Sequence, residues 1–172
     1  MGECVLKIPD LLVPVENIPF EGLNLPINLA AGDLRSLITA EGQQAPAVTS
    51  PLKGEFKIKL SGHKLLLKGF FEVEVEIPCD RCLAESKAVL NGKIDEMLEL
   101  HSPGQLVGDD AEGDGRLEVI DGKVDFSELL AEFFWLAWPF RFICKDDCAG
   151  LCSRCGADLN QGPCGCREHD WN

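Results

Sequence analysis

The sequence predicts an α+β protein with three parts: a mainly antiparallel, barrel-like β body, one buried helix, and a Cys-rich C-terminal tail. Three observations predict it. Apolar residues alternate strictly with lysine or glutamate over residues 56–60 and 71–77, the period of a strand with one buried and one solvated face. A dense apolar run over 126–138 carries helix-start and helix-stop residues at its ends. Six of the nine cysteines fall between Cys144 and Cys166. The first two features build a body over 1–143, and the third sets off 144–172. With 172 residues, 45% of them hydrophobic, the chain can bury an ordinary core, so the cysteines do not substitute for one.

Taken in order, Val5–Ile8 and Leu23–Leu29 are short apolar runs punctuated by Pro9, Pro19 and Pro26. Proline cannot donate to a central ladder, so both read as edge strands. Leu34, Leu37 and Ile38 give one or two helical turns over 33–39, and residues 42–51 are a loop by composition. Phe56, Ile58 and Leu60 alternate with Lys57 and Lys59; Ser61–Lys64 is a turn candidate; Phe71, Val73, Val75 and Ile77 alternate with Glu72, Glu74 and Glu76. This is a long hairpin whose second strand has an acidic outer face. The glutamate row reads first as solvated, with a landing site for a basic partner as the sharper alternative. The strand ends at Pro78 and runs into Cys79-Asp80-Arg81-Cys82. Residues 86–100 return as one or two strands, bent near Asn91-Gly92.

Residues 101–116 form a Gly- and Asp-rich acidic loop. Asp110, Glu112, Asp114, Gly115, Glu118 and Asp121 sit at EF-hand-like offsets. No helix precedes Asp110, and Leu117–Ile120 reads as a strand, so a calcium site is not expected. Asp121-Gly122 marks a hairpin within 117–124. Asp125 as N-cap with Glu128 starts the helix, and Pro139 stops it near Trp138. Phe126, Leu129, Leu130, Phe133, Phe134 and Ala137 make one broad face, with Trp135, Leu136 and Trp138 on the other side. A helix this apolar is expected to lie buried across a sheet; an exposed aromatic edge for a partner is the alternative.

The formal net charge is −13, from 29 acidic and 16 basic residues. Coating nucleic acid through its phosphates needs a basic footprint, so a wide RNA-gripping surface is not expected, although a small basic patch remains compatible. The balance favours a basic partner. No apolar segment near the start precedes a cleavage site. The most apolar window, residues 129–142, is interrupted by Glu132, Pro139 and Arg141 and falls short of the roughly 20 apolar residues of a membrane span. The chain reads as cytoplasmic, with no membrane contact and no small-molecule substrate. In a reducing compartment, clustered cysteines point to metal or redox chemistry rather than disulfides.

Two thiolates a few residues apart can close on one ion, because a tight turn brings both sulfurs about 2.3 Å from a common centre. Cys152-Ser-Arg-Cys155-Gly156 is a zinc-knuckle half-site, and Cys164-Gly-Cys166 supplies two more ligands eight residues on. Cys79 and Cys82 end a strand, and Cys144 and Cys148 follow the apolar helix. If the helix packs on the sheet, these two pairs meet in a second four-cysteine site. One or two zinc ions are therefore expected, making the tail a zinc-binding one. A single site drawn from the tail alone, with Cys144 or Cys148 among its ligands, is the alternative. In the two-site division the block is a junction: its first pair closes the body and its last four cap it. Four thiolates leave no open coordination position, so such sites are structural and no catalytic residue is assigned. Arg81, Lys145, Arg154 and Arg167 sit beside the ligands and offset thiolate charge, or are simply solvated cations. A cytosolic dithiol or iron–sulfur redox protein is the rival reading. Nucleophilic catalysis has little support, since His63, His101 and His169 lie in a turn, a loop and the tail without evident partners.

Cys79-Asp-Arg-Cys82-Leu83, the capped helix ending at Pro139, and Gly150-Leu-Cys152-Ser-Arg-Cys155-Gly-Ala-Asp-Leu-Asn160 followed by Cys164-Gly-Cys166 together resemble the YceD family. The resemblance spans roughly residues 6–166. It implies a large ribosomal RNA subunit accumulation protein: a non-enzymatic ribosome biogenesis factor needed for normal 23S rRNA levels and large ribosomal subunit assembly. Relatives that keep the C-x-R-C element without a Cys-rich tail make the 152–166 knuckle an added module. The partner implied is the large-subunit precursor, through a basic ribosomal protein or 23S rRNA. The charge favours the acidic body holding a basic ribosomal protein over a local RNA contact by the knuckle with Arg154 and Arg167.

Overall fold

The computed structural model describes residues 11–39, 46–102 and 115–166. Within them, eight strands form one curled, mixed sheet: β1 (Leu12–Pro14), β2 (Leu23–Leu29), β3 (Ala47–Val48), β4 (Leu52–Ser61), β5 (Lys64–Pro78), β6 (Glu85–His101), β7 (Arg116–Ile120) and β8 (Lys123–Asp125). Among the described residues two α-helices accompany it, α1 (Ala31–Ile38) and α2 (Ser127–Ala137). The strand order is β1-β8-β7-β6-β5-β4-β2, with β3 on β5 beyond the end of β4. Leu23–Leu29 is an edge strand, as its proline predicts. The expected strand at Val5–Ile8, most of the acidic loop with its EF-hand-like offsets, Arg167 and His169 lie outside the described residues.

The hairpin forms in the expected register, Ser61 opposite Lys64, with His63 in the turn. Its alternating apolar residues point inward: Phe56, Ile58, Leu65, Leu67, Phe71, Val73 and Val75 are all buried. Glu74 is more than part of a solvated row. It accepts hydrogen bonds from Lys87 Nζ and Thr49 Oγ1, each at 2.9 Å, and its N–H donates to Ser50 Oγ. These bonds fasten the 47–50 segment to β5, and the residues expected to be loop there include the short strand β3.

The sheet is mainly antiparallel, as expected, and mixed through one parallel pair: β6 and β7 pair over Glu99–His101 and Arg116–Glu118, strands separated in sequence by 14 residues. Three expectations need correction. His101 ends β6 instead of opening a loop. Residues 85–101 form one strand with no break at Gly92, because Gly92 has a packing role. It pairs with Phe71, and the Phe71 ring occupies the space where a Cβ would stand. Phe56 covers Gly69 on the neighbouring strand in the same way. Finally, α2 is buried on one face only.

That face carries Leu130, Phe133 and Phe134 against β6 and α1, and Phe56 meets Phe126 edge-on at 6.0 Å between centroids. Trp135 donates through Nε1 to the Ile38 carbonyl at the end of α1. Leu136 and Trp135 face solvent, 70% and 43% exposed. The helix start lies one residue later than expected: Phe126 occupies the N-cap, while Asp125 Oδ1 still accepts from the Ser127 N–H at 2.9 Å. Pro139 follows the end of α2 as predicted. The Asp121-Gly122 turn joins β7 to β8, both residues having positive φ, as a two-residue hairpin requires.

Gly92→Ala places a methyl inside the Phe71 ring and should lower stability by about 1–3 kcal/mol through overpacking. Gly32→Ala, in helix α1 with open space around it, should be neutral or stabilising by up to about 1 kcal/mol. Urea unfolding midpoints of the two variants check both signs.

Candidate metal centres

The chain leaves β5 at Pro78 and folds into a knuckle. The Cys79 N–H donates to the Ala84 carbonyl at 3.0 Å, and the Cys79 carbonyl accepts from the Leu83 N–H at 2.8 Å. Downstream of α2 a second segment aligns with it. Asp80 N–H donates to the Phe142 carbonyl at 2.9 Å, and Phe142 N–H donates to Asp80 Oδ2 at 2.7 Å. This double contact brings Cys144 to Cys82, with Sγ atoms 3.7 Å apart, and Cys148 to Cys79, 3.8 Å apart. All four sulfurs lie within 4.8 Å of one another. Cys79, Cys82 and Cys148 are buried with Ile143 and Leu151 against them.

The tail repeats the knuckle. The Cys152 N–H donates to the Ala157 carbonyl at 2.8 Å, and the Cys152 carbonyl accepts from the Gly156 N–H at 2.9 Å, the same pattern shifted along the chain. Cys164 and Cys166 close the group, so that its four sulfurs also lie within 4.8 Å of one another. This group is more open: Cys155 is exposed and the others are half-buried. In both knuckles the residue after the second cysteine has positive φ, +72° at Gly156 and +60° at Leu83. Glycine enters that region freely, whereas leucine does so under strain.

The donor chemistry fits an ion. Tetrahedral coordination with bonds of about 2.3 Å separates sulfurs by about 3.8 Å, the spacing of the two closest pairs. A disulfide would need about 2.05 Å, and a multi-iron cluster sets several atoms between its thiolates and spreads them further. Either group could therefore hold a single metal ion.

The N–H groups of the knuckles already prepare for thiolates. Burial pushes the Cys79 thiol up, but N–H donors from Cys144, Cys82 and Arg81 outweigh it and hold Cys79 at about 6. In the tail, the N–H groups of Cys155 and Arg154 and the Cys164 thiol bring Cys152 to about 6. Their neighbours move the other way. Burial, then the adjoining Cys148, Cys79 and Cys82, raise Cys144 to about 12; the adjoining Cys155 and Cys164 raise Cys166 to about 12. Like charges packed together keep protons on some members of each group. An ion would displace them.

Four residues were missed by the sequence reading. Asp80 aligns the two segments of the buried group. Asn160 links the groups: its Nδ2 contacts Cys148 Sγ at 3.6 Å and its Oδ1 accepts from the Ala149 N–H at 2.9 Å. Asp158 Oδ1 accepts from Asn160 Nδ2 at 2.7 Å and fixes the amide. Gly150 is the fourth, with φ of +75° and a Cβ position 3.1 Å from the Arg81 carbonyl, which itself accepts from the Leu151 N–H. The signal was present in Gly150-Leu-Cys152 and Ala157-Asp-Leu-Asn160, where Gly, Asp and Asn beside the cysteines suit tight turns. Arg81 donates through Nη1 to the Cys148 carbonyl at 3.0 Å, and Lys145 pairs with Asp147. His63 and His101 join neither group.

Residues 67–172 match the family model described as large ribosomal RNA subunit accumulation protein YceD. The chain is 22% identical over 110 residues to an uncharacterized protein of Mycobacterium leprae (64% of this chain, 50% of that protein). It is 24% identical over 109 residues to uncharacterized proteins of Mycobacterium bovis and Mycobacterium tuberculosis (63% of this chain, 52% of each relative). The match spans about half the length of these curated relatives. No solved structure matches.

Three outcomes follow from this geometry. Cys79→Ser should release one metal ion and lower the global melting temperature, whereas Cys164→Ser should release the other and leave the core melting as before; elemental analysis and calorimetry read both. Asn160→Ala should weaken retention at the buried group about 10-fold or more against a chelator, as outer-shell losses do. At pH 7, between pKa values of about 6 for Cys79 and Cys152 and about 12 for Cys144 and Cys166, loading should release at least one proton per site, and affinity should fall as pH falls. Titration calorimetry in buffers of different ionisation enthalpy measures the protons.

Proposed function

The chain belongs to the YceD family, and from that premise we propose that it is a non-enzymatic cytoplasmic factor supporting 23S rRNA accumulation and large ribosomal subunit assembly. Two structural zinc ions, one on Cys79, Cys82, Cys144 and Cys148 and one on Cys152, Cys155, Cys164 and Cys166, hold the tail on the sheet. Its partner is the large-subunit precursor, met through a basic ribosomal protein or 23S rRNA.

The observation that carries this reading is the family match over residues 67–172, a range that includes every one of these eight cysteines. The geometry supports a structural role for the metal. Four thiolates saturate a tetrahedral ion and leave no position for substrate or water. Cys79 is fully buried, which works against the redox alternative, since thiol–disulfide exchange needs access to the attacking sulfur.

Deleting the gene should lower 23S rRNA relative to 16S rRNA and deplete mature large subunits in sucrose gradients. Wild-type chain should restore both, and Cys79→Ser should fail to. Normal 23S rRNA and subunit ratios in the deletion strain would remove the proposal. Purified protein should carry two zinc ions per chain; iron with visible absorbance would favour the redox reading instead.

A further inference from the structure

The fold sorts the lysines of this acidic chain. On the solvent side of the sheet Lys57 stands directly opposite Lys68, and Lys59 opposite Leu66. Phe70 stands between Glu55 on β4 and Lys93 on β6. Lys53 and Lys64 extend the same face. At the hairpin end these six lysines meet four carboxylates, Glu55, Glu72, Asp95 and Glu99, a positive excess in a chain of net charge −13 that is confined to that end, since Glu74, Glu76 and Glu85 meet only Lys87 further along the same face. The pairs Lys57–Glu55 and Lys64–Glu99 at 3.6 Å and Lys68–Asp95 at 2.9 Å are solvent-exposed, so they hold their lysines weakly. Among the described residues, Lys53, Lys59 and Lys93 make no ion pair.

Two features of this face work against stability. Like charges directly opposite each other, as Lys57 and Lys68 are, destabilise a sheet. Phe70 is 56% exposed in the middle of the face, and Phe20, under the Lys59 ammonium at 5.9 Å, is 90% exposed. Phe70 and Leu66, the residue opposite Lys59, are four residues apart on β5, about 13 Å along the strand. The Lys57–Lys68 row crosses the space between the two rings. Aromatic platforms flanking a basic row are the elements that bind single-stranded nucleic acid: bases stack on the rings and lysines track the phosphates.

We infer that the hairpin-end half of the outer face of β4–β6 binds a single-stranded segment of RNA, with Phe70 and Phe20 as stacking platforms and Lys53, Lys57, Lys59, Lys68 and Lys93 along its backbone. This rests on the proposed function and names the precursor component met by this surface. The lysines disfavour a basic ribosomal protein at this patch, and the two exposed rings beside the lysine row suit stacking of unpaired bases.

The test uses the full metal-loaded chain and a labelled, unstructured RNA of about 12 nucleotides, a length within the usual range for such surfaces. Fluorescence anisotropy should show binding that weakens with salt. Phe70→Ala should weaken it about 5-fold or more with the salt slope unchanged. Lys53→Ala, Lys59→Ala and Lys93→Ala combined should reduce that slope by about 0.7 for each phosphate these lysines neutralise. Metal content and melting temperature should stay at wild-type values, since these side chains are exposed. The inference is overturned if the wild-type chain does not bind the RNA, if both variants bind as wild type, or if a duplex of the same sequence binds equally well. It is equally overturned if these substitutions abolish capture of a purified basic ribosomal protein and spare RNA. A deletion strain short of 23S rRNA, combined with a chain that does not bind RNA, would remove this surface and keep the proposed function.

Discussion

Four sulfurs from two distant segments set the arrangement of this protein. Cys79 and Cys148 are 69 residues apart in sequence, and their sulfurs meet at 3.8 Å. Between them lie β6, the parallel strand β7, the β7–β8 hairpin and α2. The contact therefore closes a long loop of chain, and an ion held there would oppose its opening directly. The Asp80–Phe142 hydrogen bonds hold the same two segments side by side without any metal. Protein bonding thus aligns the junction, and a metal would lock it.

The tail depends on that junction. Its own four-cysteine group is more open, and its Asn160 reaches back to Cys148 while Leu151 donates to the Arg81 carbonyl. The two groups are coupled through backbone and amide contacts, not merely adjacent along the chain. Leu83 fits the same picture. It holds the left-handed conformation that glycine holds at the corresponding place in the tail, a strain the buried knuckle sustains because hydrogen bonds on both sides of it fix the turn.

Charge changes meaning once the chain is folded. The net value of −13 argued for a basic protein partner, and it is an average over all faces. Folding places Glu72, Glu74 and Glu76 towards the Pro78 end of β5, while Lys57, Lys59 and Lys68 gather towards the hairpin end of the same sheet. Local fields govern contact at a surface, because salt screens charges beyond about 10 Å. An acidic chain can therefore carry a basic patch, and this patch is where the exposed Phe70 and Phe20 stand.

Features under local chemical control were legible in the amino-acid order. Alternation set the faces of β4 and β5, the Ser61–Lys64 turn set their register, proline placed β2 at an edge, Asp121-Gly122 placed the β7–β8 turn, and Pro139 ended α2. Cysteine spacing marked which thiols are neighbours along the chain. Folding settled whatever depends on distant residues. The parallel pairing of β6 with β7 is invisible to periodicity, which reports faces and not partners. Gly92 looks like a bend until Phe71 is seen to fill its space. The meeting of Cys79 and Cys82 with Cys144 and Cys148 needed an assumed contact between helix and sheet, and Asn160 joined the buried sulfur group only when its amide reached Cys148. The lysine face appeared only when β4, β5 and β6 lay side by side, because cross-strand neighbours are set by register and not by sequence proximity.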